Sequence, residues 1–87
     1  MSLEEFAPHV GARFFLDEDK LAPALVLVEA ERSPNAGENG RPFHLVFEGS
    51  AELPREGGNV LLSRGENPPQ PIFLVPIAPD RYEAVFN

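Results

Sequence analysis

Apolar and polar side chains alternate along much of this chain, and this alternation predicts β-strands. The pattern is clearest in Pro42–Glu48 and Arg81–Phe86, where large apolar side chains occupy one face and polar side chains the other. Because two such faces can share one core, we predict that they pack together. The predicted core residues are Phe43, Leu45, Phe47, Tyr82, Ala84 and Phe86.

Four further segments are predicted as strands, with less regular patterns: Ala12–Asp17, Ala24–Arg32, Asn59–Ser63 and Ile72–Ile77. The second of these is apolar on both faces at its start and alternates at its end. It is therefore expected to be buried on both sides at one end and on one side at the other. Pro76 removes a backbone donor from the last of the four, which favours a sheet edge or a bulge there.

The first eight residues predict a short helix. Ser2 and Glu5 have capping-box spacing, and Leu3 and Phe6 can share one helical face. Pro8 disfavours helical geometry in the residue before it. Because so short a helix is not stable alone, we expect Leu3 and Phe6 to plug one end of a sheet.

The strands follow one another closely, with no helical crossover and no internal repeat. This arrangement predicts an all-β fold, a six-stranded antiparallel meander that closes into a small barrel or rolled sheet. The 87 residues are expected to form a single domain, with the short helix in 1–8 and the sheet in 12–87. Ten prolines and seven glycines exclude long helices.

Charge and cysteine content restrict the partners and the chemistry. Fourteen acidic residues against seven basic ones give a net charge of −7, which argues against binding nucleic acid or an anionic membrane surface. The chain has no cysteine, so it has no disulfide, thiolate metal site or cysteine nucleophile. The acidic N-terminus and the short apolar runs predict neither a targeting peptide nor a membrane span, and we expect a cytoplasmic protein.

Three blocks of the chain, SLEEFAPHVGARFFL, RPFHLVFEGSAELP and IFLVPIAPDRYEAVFN, resemble a family of short bacterial proteins of unknown function. The resemblance implies a compact all-β domain without an established activity, and it tilts the function toward assembly or interaction, in association with phage-tail-like assemblies. The family often carries Leu-Pro-Gln-Gly followed by a Tyr-x-Leu-x-His strand. Here Leu53 and Pro54 are kept, two residues are added within 56–58, and Val60 and Arg64 replace the Tyr and His.

Several polar residues are candidates for a site. His44 and Glu48 share a strand face, but four residues of strand separate them by ~13 Å, too far for an acid–base pair or a shared metal. Glu29 and Glu31 have a spacing compatible with glycoside chemistry, yet a chain with no Trp and one Tyr offers few aromatics for a sugar cleft, so we interpret them as a solvated face opposite basic residues. His9 is interpreted as a loop or cap residue.

Other motifs carry no chemistry. The acidic run Asp17–Asp19 lacks the register of a calcium loop. The chain contains no nucleophile elbow, P-loop or dinucleotide-binding motif, and Pro68–Pro71 favours a rigid loop over a polyproline ligand. We therefore predict no catalytic residue, no cofactor and no metal site.

These observations favour a non-enzymatic structural or protein-interaction module. Its partner is expected to be another protein or a second copy, bound through a strand edge formed by Ile72, Leu74 and Pro76. The alternatives are a barrel that binds a small ligand at a mouth near Phe14, Phe43 and Tyr82, and an enzyme.

Overall fold

The computed structural model describes residues 3–16, 24–33, 42–49, 58–63 and 70–86. Within these residues the chain is mostly β-strand, with a short N-terminal helix, as predicted. The elements are α1 (Leu3–Phe6), a 3₁₀ turn (Ala7–His9), β1 (Arg13–Leu16), β2 (Ala24–Arg32), β3 (Phe43–Glu48), β4 (Gly58–Ser63), β5 (Gln70–Ala78) and β6 (Arg81–Phe86). None of the helices in these ranges is long and apolar enough to cross a membrane.

The strands form a curled antiparallel sheet in the order β1-β2-β3-β6-β5-β4, and β4 pairs back to β1. The predicted meander is therefore wrong at one connection, because β3 lies beside β6 and not beside β4. Within β1–β2–β3 and within β4–β5–β6 the neighbours do follow chain order. Alternation along one strand does not determine which strand lies beside it, so the sequence pattern could not predict the pairing of β3 with β6.

The predicted core faces of β3 and β6 do meet. Phe43 lies opposite Phe86, and Phe47 lies opposite Tyr82. The Phe43 and Phe86 rings stack with centroids 4.5 Å apart and planes 8° from parallel. Phe86 packs on the core while partly buried, and the other five residues of the predicted set are buried. The period-two pattern thus identified the inward faces correctly.

A β-bulge in the middle of β2 changes which side chains face inward. Leu27 is fully buried, and an unbroken period of two would turn Glu29 inward as well. The register shifts after Leu27, so Glu29 lies opposite Val46, which alternates with the core residues of β3. The extra residue, Val28, therefore turns the carboxylate outward. The bulge sets the phase of the alternation after Leu27. Before it, Leu25 is buried and Val26 on the opposite face is half-buried, in line with the predicted burial at the start of β2.

Strand β5 lies inside the sheet, between β4 and β6. Its inner face is buried through Ile72 and Leu74, and Pro76 is half-buried on the same side. The register shifts between Pro76 and Ala78, so of the two predictions for this proline the bulge is confirmed and the edge is not.

The N-terminal segment covers one end of the core, as predicted. Phe6 is buried, and its ring centroid lies 6.4, 6.2 and 6.0 Å from those of Phe14, Phe43 and Phe86. Leu3 packs against the same cluster. A helix of four residues gains its stability from this packing rather than from its own hydrogen bonds.

Two polar contacts attach the same segment to β2. The Arg32 guanidinium lies 3.0 Å from the Glu4 carboxylate, and the Gly11 N–H donates to the Leu27 carbonyl at 2.6 Å. The predictions for Ser2, Asp17–Asp19 and the proline-rich segment before β5 lie outside the described residues.

Candidate functional site

The strand registers arrange the outward side chains of β2, β3, β6 and β5 in rows across one wall of the sheet, which we call the outer wall. One row runs from Glu31 through His44 to Val85. The next row runs from Glu29 through Val46 and Glu83 to Val75. Acidic groups, the imidazole and apolar side chains thus share a continuous surface.

At one end of the outer wall, the side chains of Glu29, Glu31 and His44 converge. One nitrogen of His44 and one carboxylate oxygen of each glutamate all lie within 4.8 Å of one another. His44 Nε2 lies 3.7 Å from a Glu29 oxygen, which is longer than a hydrogen bond. Glu31 is exposed, whereas the other two side chains are partly covered. Three atoms that can each bind a cation or accept a hydrogen bond therefore lie close together.

At the other end, β5 and β6 expose large apolar side chains, which we call the β5–β6 stripe: Phe73, Val75, Ile77 and Val85. Their exposed fractions are 55%, 43%, 51% and 59%. Single exposed apolar residues are common, but neighbouring ones on one sheet face typically mark an interaction surface.

Charged side chains lie beside the stripe on β6. Glu83 lies opposite Val75 on one side and Val46 on the other. Arg81 lies 3.5 Å from the Glu48 carboxylate, so these two charges largely offset each other. Glu83, together with the glutamates at the far end of the wall, leaves this surface acidic.

Val46 lies in the middle of the row that runs from Glu29 to Val75. It alternates with core residues along β3 and faces outward, yet only 5% of it is exposed, and it is not part of the main core cluster. Its registered neighbours are Glu29 and Glu83. A nearly buried apolar side chain therefore lies at the centre of this row, between the carboxylates of Glu29 and Glu83.

The comparisons with known proteins address the family and not the activity. A family model described as a domain of unknown function, DUF6916, matches residues 1–86. The chain belongs to the DUF6916 family. No curated protein and no solved structure matches it. The predicted resemblance to a family of unknown function is thereby confirmed.

In this DUF6916 chain the predicted interaction edge has to be corrected. Ile72 and Leu74 are 2% and 4% exposed, on the inner face of a strand that has neighbours on both sides. Pro76 lies opposite Tyr82 and is half-buried. The accessible residues of β5 are the alternate ones, which belong to the stripe. The prediction identified the wrong face because it placed β5 at an edge of the sheet.

The predicted ligand-binding mouth is filled by side chains. Phe14, Phe43 and Tyr82 are 5%, 1% and 2% exposed, and Phe6 packs against the first two. Among the described residues these rings belong to the core. The small-ligand alternative therefore has no support at this place.

The convergence of His44 with the two glutamates was not predicted. On its own strand His44 was weighed only against Glu48, and basic residues were expected opposite Glu29 and Glu31. The register places Val46 and His44 there. A possible signal was that β2 and β3 are consecutive strands with a hairpin-type dipeptide, Asn39-Gly40, between them.

Proposed function

We propose that this domain is a non-enzymatic interaction module that binds another protein through the β5–β6 stripe. The observation that supports this most directly is the exposure of Phe73, Val75 and Ile77 along a strand whose other face forms the core. A strand that is apolar on both faces needs a cover on each. The core covers the inner face only.

The N-terminal helix does not supply the outer cover. Phe6 packs against rings from β1, β3 and β6 at one end of the core, and Glu4 pairs with Arg32 on β2. The stripe stays about half exposed with the helix in place. Within the described ranges the stripe is thus open to a second molecule, which supports a partner as its cover.

The negative charge of the domain favours a different protein, rather than a second copy of this chain, as the partner that binds the stripe. Two copies would each bring a net charge of −7, and a symmetric contact through the stripe would bring two Glu83 carboxylates toward one another. A partner with an apolar centre and a basic rim would complement both the stripe and its acidic surroundings. A protein of a phage-tail-like assembly, as the family resemblance implies, is one source of such a partner.

Site-specific cross-linking tests the proposal. A photoreactive phenylalanine analogue replaces Phe73 in one variant and Val10 in the other. Val10 is 50% exposed outside the stripe, so it is a matched control. In native lysate we expect the Phe73 probe, and not the Val10 probe, to capture one protein with a basic surface. That protein is then purified and its affinity measured against the wild type, Phe73→Ser, Glu83→Gln and Val10→Ser.

The expected result is weaker binding for Phe73→Ser, weaker and less salt-sensitive binding for Glu83→Gln, and unchanged binding for Val10→Ser. Sedimentation of the wild type should show a monomer at tens of micromolar. A dimer that Phe73→Ser dissociates would assign the stripe to self-association instead. Equal capture by both probes, or a partner that binds Phe73→Ser normally, would overturn the stripe as the binding surface.

A further inference from the structure

We propose that Glu29, Glu31 and His44 form a binding site for a zinc ion on the outer wall, contrary to the sequence-based prediction that this chain has no metal site. The three residues come from two strands whose hydrogen-bonded register places them side by side. Their ligand atoms lie within 4.8 Å of one another. The site shares no residue with the β5–β6 stripe, which it adjoins where His44 lies opposite Val85, and it does not depend on the interaction proposed for the stripe.

One of the three ligand–ligand distances is close to that of a tetrahedral metal centre, and the other two are at most 4.8 Å. Zinc binds histidine nitrogen and carboxylate oxygen at about 2.0–2.2 Å, so two ligands of one ion lie roughly 3.3–3.6 Å apart. His44 Nε2 and the Glu29 oxygen are already 3.7 Å apart. Small rotations of the glutamate side chains would bring the three atoms onto one ion. A water molecule or a group from a partner would occupy the fourth position.

The charges also match. The two carboxylates carry a total charge of −2 and a ligating imidazole is neutral, so one divalent cation balances the charge of the site. Without a cation, the two glutamates, two residues apart on one strand face, repel each other. The bulge at Val28 is what turns both carboxylates to the side of His44.

The chemical types of the three ligands favour zinc over calcium and magnesium. Imidazole is a strong ligand for zinc and similar transition ions, whereas Ca²⁺ takes six or more oxygen ligands and Mg²⁺ retains most of its water. Two carboxylates with one imidazole therefore favour Zn²⁺ over Ca²⁺. Since the ligands come from β2 and β3, bound zinc would also link these strands and stabilise the folded state.

Zinc titration of the tag-free full chain tests this site. The chain has two histidines, so the ring resonances of His44 and His9 can be followed separately by NMR. We expect one equivalent of Zn²⁺ to bind in isothermal titration calorimetry, to shift the ring signals of His44 and to leave those of His9 in place. The apparent melting temperature should rise with zinc and not with equal Ca²⁺.

Matched variants distinguish the residues that bind zinc from residues outside the cluster. His44→Gln and Glu31→Gln should each weaken zinc binding by at least about tenfold. His9→Gln and Glu5→Gln should leave it unchanged, since neither residue belongs to the cluster. Melting curves without metal establish that all four variants fold. Zinc binding that survives His44→Gln, shifts both histidine rings equally, or is matched by Ca²⁺ would overturn the site.

Discussion

Gly11 has the backbone conformation that connects the N-terminal segment to the sheet. Its φ is +95°, in the left-handed region that side chains with a Cβ rarely adopt. Its N–H donates to the Leu27 carbonyl, and the Leu27 N–H donates to the Ala12 carbonyl at 3.1 Å. One glycine therefore lets the chain leave the helical turn and attach to β2 beside the bulge.

Gly11→Ala is expected to lower the free energy of unfolding by about 1 kcal/mol, because alanine is strained at this φ. No atom lies within 4 Å of the position that the alanine Cβ would take, so steric contact should add nothing. Urea denaturation measures the change. Asparagine tolerates the left-handed region better, so Gly11→Asn should lose less than Gly11→Ala. Equal stability of the wild type and the alanine variant would show that φ is not held positive.

Phe47 tests the inward face of β3. Its side chain is fully buried, and its ring lies edge-on to Phe14 with centroids 5.4 Å apart. Phe47→Ala should cost ~3–5 kcal/mol, which exceeds or consumes most of the stability of a small domain. Val85→Ala, on the outward face of β6, should change stability by less than about 0.5 kcal/mol. Chemical denaturation of both variants checks the face assignment, which a loss below about 1 kcal/mol for Phe47→Ala would contradict.

At the scale of the element, β5 shows how alternation gives one apolar strand a buried face and an exposed face. Leu74 belongs to the core, and its neighbours Phe73 and Val75 are exposed. Both faces are apolar, so period two could not say which face was inside. The strand needed its two neighbours, β4 and β6, to define the inner side.

Glutamate substitutions at adjacent positions separate the two faces of β5. Leu74→Glu buries a carboxylate in the core and should abolish cooperative folding. Phe73→Glu should keep the fold, because its side chain is exposed, and should weaken partner binding through the stripe. Circular dichroism and thermal melting of both variants provide the measurement. A folded Leu74→Glu monomer would show that this strand is inverted.

At the scale of the whole molecule, the sheet is held unequally around its circumference. Among the residues that the structure describes, β3 and β6 share six registered residue pairs, whereas β1 and β4 share two, Phe15 with Ser63 and Leu16 with Leu62. Local opening follows the weakest pairing, so the contact between β1 and β4 should open first.

Native-state hydrogen exchange tests this order of opening. We expect the amides of Phe15 and Leu16 to exchange through a local opening, with a lower free energy than the β3 amides of Leu45 and Phe47. The latter should exchange close to the global unfolding free energy. Increasing urea should raise exchange at β3 steeply and at β1 only slightly. Equal protection and equal urea dependence of the β1 and β3 amides would contradict a weak contact between β1 and β4.

Local sequence patterns were enough to establish the all-β class, the short N-terminal helix that plugs the core, and the inward faces of β3 and β6. These features depend on periodicity and on prolines, which act within a few residues. Three features emerged only from the folded chain: β3 pairs with β6, β5 lies between two strands, and a bulge turns Glu29 and Glu31 toward His44. Pairing and register arise from contacts between segments that are distant along the chain, and the alternation within one strand is compatible with many of them.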